Sequence, residues 1–158
     1  MRLLVRTFGF VLMIMPMASG IGAQARGTEE LISVRSKLSV AETIDRLQQH
    51  VAAAGFFVAA RIDHAKGAAA AQLALRPTES LVFGNPKGGT PLMQCDQRVG
   101  IDLPLRALAW MDDKGQVWLD MTNPHVLQAR YHLSSACDKP IAAMEATVRR
   151  LLAGISEP

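Results

Sequence analysis

An α+β domain with a mostly antiparallel sheet is what this sequence predicts, in the order β-α-β-β-β-β-α, a TBP-like layout with helices packed on one face. Three observations predict it. Apolar residues alternate with period two over 31–37, 56–63, 78–83 and the two arms of a hairpin between 105 and 121. Stripes with the helical period occupy only 40–54 and 141–153. The central strands also follow one another through turn-rich links too short for full crossover helices, which argues against a parallel βαβ sheet. A chain of 158 residues suffices for one such domain with an appendage.

The appendage comes first. Arg2 and Arg6 form a positive start, 8–15 are apolar, and Ala23-Gln24-Ala25 fits the small-residue cleavage pattern of a Sec signal peptide. Residues 1–25 are therefore expected to be removed after Ala25, leaving a domain at 26–158 that is periplasmic or secreted. An uncleaved anchor is the alternative, although Pro16, Ser19 and Gly20 interrupt the apolar stretch and a membrane span needs about 20 apolar residues. No cysteine lies near the cleavage site to carry a lipid. Two of the 17 basic residues leave with the signal, so 15 face 14 acids in a nearly neutral mature chain. Its scattered basic residues give no support for nucleic-acid binding. Cys95 and Cys137 are expected to form a disulfide in an oxidising compartment, adding about 4 kcal/mol for a loop of that length; two buried thiols are the alternative.

The mature chain opens with a strand at 31–37. Ser39-Val40-Ala41-Glu42 is a capping box, and Val40, Ile44, Leu47, Val51 and Ala54 make one helical stripe that Gly55 terminates. A second strand at 56–63 should put Phe56, Val58, Ala60 and Ile62 on one face and Phe57, Ala59, Arg61 and Asp63 on the other. An alanine-rich helical turn follows, then a third strand at 78–83. The run Phe83-Gly84-Asn85-Pro86-Lys87-Gly88-Gly89-Thr90-Pro91 reads as a glycine-proline loop, with Thr90 and Pro91 as cap and first residue of a short helix to about 97. Residues 99–103 then read as extended, up to a break at Pro104.

Asp112-Asp113-Lys114-Gly115 supplies the turn of the clearest hairpin. Pairing Asp112 with Gln116 puts Leu105, Ala107, Ala109, Met111, Val117, Leu119 and Met121 on one face. Trp110 then stands opposite Trp118 on the other, with Leu108 beside them. Those rings need a cover, and a symmetric homodimer through them is expected. Asn123-Pro124 should start a helix through Leu133, and Asp138 the last helix, striped by Ile141, Met144, Val148 and Leu151 and stopped by Gly154.

Arg61-Ile62-Asp63-His64, Arg76-Pro77-Thr78-Glu79, Phe83-Gly84-Asn85-Pro86 with Gly89-Thr90-Pro91-Leu92-Met93, and Ile101-Asp102-Leu103-Pro104-Leu105 stand in order along the chain. In these motifs, from about Ser33 to about Leu133, the sequence resembles the domain-of-unknown-function family 302. That resemblance implies a small α+β domain, often exported in bacteria, with no established activity.

The expected site joins the strand end at Asp63 and His64 to the loop residues Asn85, Gly88, Gly89 and Thr90, with Asp102 facing the same cleft. The loop glycines and a helix N-terminus would suit a small, anionic ligand. The leading expectation is a ligand-binding or interaction module with no cofactor. A hydrolase-like enzyme with His64 as general base, Asp63 beside it and the loop amides as an anion hole is one alternative. Neither HExxH nor a nucleophile elbow is present, so no catalytic set is recognisable. A periplasmic metal-binding protein is the other alternative, although His50, His64, His125, Cys95 and Cys137 show no ligand spacing and no metal site is assigned.

Overall fold

A computed structural model describes residues 30–156, so the expected signal segment 1–25 lies outside the described residues. Strands β1 (Leu31–Ser36), β2 (Phe57–Asp63), β3 (Thr78–Gly84), β4 (Leu105–Met111) and β5 (Val117–Thr122) form one sheet in the order β1-β5-β4-β3-β2. Every neighbouring pair is antiparallel. Consecutive strands β1 and β2 are thus the two edges, and helix α1 (Val40–Ala53) must cross the whole face between them. The long helix α5 (Asp138–Ser156) lies beside it. Together they bury Ile44, Leu47, Val51, Val148 and Leu152 against Leu81, Phe83, Ala107, Ala109 and Leu119. This is the expected α+β architecture.

Local chemistry explains the ends of α1. Ser39 and Glu42 complete the capping box. At the other end Gly55 takes φ +75°, the Gly55 amide bonds to Ala52 O at 3.0 Å and the Phe56 amide to Val51 O at 2.9 Å. These are the two bonds of a Schellman stop, which glycine supplies without strain.

Strand β2 departs from simple alternation. Val58 and Arg61 pair with Phe83 and Leu81 on the helix-covered side, whereas Ala60 and Ile62 pair with Val82 and Ser80 on the open side. The extra residue is Ala59, a bulge that moves the side chains beyond it to the other face. The hairpin keeps the expected register, with Asp112 N bonded to Gln116 O at 2.9 Å and Trp110 opposite Trp118. Both rings are half-buried, and each indole N–H is satisfied within the chain, by Asp120 at 2.6 Å and by Asp112 at 3.0 Å respectively. Arg35 lies 5.1 Å from the centre of Trp118.

Three other expectations are corrected. Residues 99–103 are not extended: Gln97–Asp102 is a 3-10 turn begun by Asp96, whose carboxylate accepts the Arg98 amide at 2.8 Å. Helix α4 (His125–Tyr131) ends before Leu133, because His132 adopts a left-handed φ of 51°. Gly154 does not stop α5; it is an interior position where the His50 ring packs so closely that a side chain would overlap it.

Candidate functional site

The stretch expected to be a loop is the start of helix α3 (Pro86–Cys95). Asn85 is its cap and Pro86 its first residue, so Thr90 is an interior position and Pro91 sits inside the helix. Asn85 also consumes the first amides: its side chain accepts from Lys87 N at 3.0 Å, and its carbonyl from Gly88 N at 2.9 Å and Gly89 N at 3.0 Å. The Asn85 side-chain Nδ2 donates to Gly55 O at 3.3 Å. No anion hole of free Gly88 and Gly89 amides exists here.

The two expected halves of the site lie apart. Phe57, at the start of β2, pairs with Gly84, while Asp63, at its other end, pairs with Glu79. Six strand steps of about 3.3 Å separate them by about 20 Å. Asp63 caps the short helix α2 (His64–Ala70), accepting Lys66 N at 2.8 Å, and His64 Nε2 is 2.8 Å from Ser80 Oγ. Asp102 is likewise taken, by Arg130 at 2.7 Å and the Tyr131 hydroxyl at 2.6 Å. That bond to Asp102 raises the Tyr131 phenol above its ordinary range.

A cavity of about 370 Å³ does open against α3, half-open to solvent, and it shares only Asn85, Gly88, Gly89 and Thr90 with the expected set. One wall is Phe56 and Phe57; the Phe56 ring meets Phe83 of the main core edge-on at 5.8 Å between centres. The floor is Gly84 with Leu103, Pro104 and Leu105, and the far wall is Pro140, Ala143, Met144 and Thr147 of α5. Gly84 matters for shape, since a Cβ there would stand 3.1 Å from the Phe57 ring and 3.2 Å from Pro104. Any larger residue would press both back by a few tenths of an ångström. The Cys95–Cys137 disulfide, with Cα atoms 6.1 Å apart, ties the end of α3 to the turn that precedes α5. The bond thereby links two walls of the cavity.

The lining is mainly aromatic, aliphatic, thioether and proline surface, and among the described residues Lys87 is its one ionisable side chain. Its polar groups are Asn85, Lys87, Thr90 and Thr147. The Phe56–Phe57 doublet after Gly55 was a usable signal, because period two cannot bury both rings on one face. Met144, read as core, gave none. Among the described residues no three histidine, cysteine or acidic side chains gather as a metal site.

Comparison with known proteins places this geometry in a family. Two curated relatives, from Brucella suis biovar 1 (strain 1330) and Brucella abortus biovar 1 (strain 9-941), are each named fluoride-specific ion channel FluC 1 and are 46% identical over 127 residues. The match takes in 78% of this chain but 50% and 47% of those proteins, so the chain spans about half the length of the curated relatives it matches. A crystal structure of an uncharacterised conserved DUF302 protein from Bacillus stearothermophilus superposes with a TM-score of 0.73 at 20% identity, over 80% of this chain and 98% of that one. The profile described as Domain of unknown function DUF302 matches residues 32–151, and with that match the chain belongs to the DUF302 family.

Proposed function

We propose that this chain is a binding module for a small, largely apolar molecule, held between α3, the Phe56–Phe57 end of β2 and α5. The cavity carries the reading: its volume falls within the usual few hundred Å³ of small-molecule sites, and apolar walls with a few polar groups are their usual chemistry. Among the described residues that line it there is no histidine, cysteine, serine or acid, so they offer neither a Ser–His or Cys–His pair nor paired carboxyls for acid–base work. The test is fluorescence of the neutral probe N-phenyl-1-naphthylamine with the folded protein. Saturable enhancement is expected, and Ala143→Phe, which fills the cavity from α5, should abolish it. A folded parent that leaves the probe dark refutes the reading.

The contact between His64 and Ser80 favours a second reading, a hydrolase-like dyad. It lacks support around it, since Ser80 is buried and Asp63 is committed to capping α2. Labelling of Ser80 by a fluorophosphonate, lost in His64→Ala, would establish it over the binding reading.

The FluC relatives bear on context. We propose that the matched half of those longer proteins is a module beside their conducting part, because among the described residues no helix is long and apolar enough to cross a membrane. Export of this chain is proposed on the signal-like start and is supported by the Cys95–Cys137 bond. N-terminal sequencing of the mature protein should begin at Arg26.

A further inference from the structure

We infer that the ligand of this cavity is an amphiphile with a single anionic group, its apolar body between Phe56, Phe57 and Met144 and its head at Lys87; this rests on the cavity reading above. Charge decides the class. Lys87 is the one ionisable group in the lining, no carboxylate in the walls neutralises it, and its ammonium has no ion-pair partner among the described residues. A cationic ligand would meet repulsion with nothing to offset it. A doubly charged one would bring more charge than the site can match while burying the rest against hydrocarbon, which costs more than one exposed ammonium returns.

The helix start cannot take the head group instead. Asn85 already accepts the amides of Lys87, Gly88 and Gly89, and Pro86 has none, so recognition of an anion falls to the Lys87 side chain. Lys87 is exposed, and its long stem lets the ammonium reach over the cavity mouth while its methylenes cover apolar surface. The walls favour a flexible chain or a flat ring: two phenylalanines supply faces, and the thioethers of Met93 and Met144 adapt to irregular shapes. A medium-chain monocarboxylate meets all of these conditions.

Displacement of N-phenyl-1-naphthylamine by decanoate and by methyl decanoate separates this proposal from the cavity reading. Decanoate should compete about 1.5-fold to fivefold better than its ester in the parent, the range one solvent-exposed ion pair gives. In Lys87→Met that preference should disappear, the ratio of acid to ester competition being read within the variant so that any change in its hold on the probe cancels. Equal competition by acid and ester in the parent overturns the anionic head group and leaves the cavity standing; a preference that survives in Lys87→Met overturns the role of Lys87. Loss of probe binding in the folded parent overturns both.

Discussion

Asp63 and His64 are the most reactive-looking neighbours in the sequence, and each has a structural task. Asp63 caps α2, and His64 anchors that helix to Ser80 on the open face of the sheet. Single residues elsewhere do carry charge chemistry. Glu145 on α5 receives Arg149 at 2.8 Å and His125 at 2.6 Å, and the Arg149 bond, with His125 adding to it, holds its carboxyl below the ordinary value of 4.5. A depressed carboxyl stabilises the fold fully above the unfolded value and loses that contribution as pH falls through the folded one. The Tm advantage of the parent over Glu145→Gln should therefore shrink as pH falls below about 4.5. A gap that widened on acidification would contradict the assignment. The His125 contact was not legible beforehand, because a pair between α4 and α5 depends on how the helices cross, whereas Glu145 and Arg149 stand four residues apart on one helix.

At the scale of elements, the sequence showed the hairpin, α1 and the sheet strands, since each declares its period and its caps locally. It misplaced the start of α3. Two N-terminal signals, Asn85-Pro86 and Thr90-Pro91, stand five residues apart, and the earlier won because Asn85 caps three amides while also bonding back to Gly55. The end of α5 was misjudged for the opposite reason: glycine usually closes a helix, but at Gly154 it makes room for His50 across the α1–α5 contact. Gly154→Ala should displace the half-buried His50 ring, at a net cost of about 1 kcal/mol or less once the better helix propensity is counted. Adding His50→Ala should recover most of that loss in chemical denaturation; no recovery would place the strain elsewhere. Replacing Cys95 and Cys137 by alanine should cost about 2–4 kcal/mol, read the same way.

The molecule as a whole has one face sealed by α1 and α5 and one face open. We propose that a second copy meets this open face around Trp110, Trp118 and Leu108. The face carries the exposed Arg35 and Arg106 with the half-buried Asp112, so a two-fold axis can set opposite charges against each other. Sedimentation should show a dimer that becomes a monomer in Trp110→Ser with Trp118→Ser; a monomeric parent would remove the proposal. The site was half legible in the sequence. Asn85, Gly88, Gly89 and Thr90 were in view because glycine and proline mark unusual backbone, whereas Leu103, Leu105 and Met144 meet only through the tertiary fold.

Methionine methyls can place the ligand within the fold. After removal of residues 1–25 the chain keeps Met93, Met111, Met121 and Met144, of which Met93 and Met144 line the cavity and the other two do not. With methyl-labelled methionine, saturation by decanoate should move the Met93 and Met144 resonances and leave Met121, which lies in the main core, unmoved. Binding that left Met93 and Met144 in place while shifting the ring signals of His64 would contradict the account and return the site to the other end of β2.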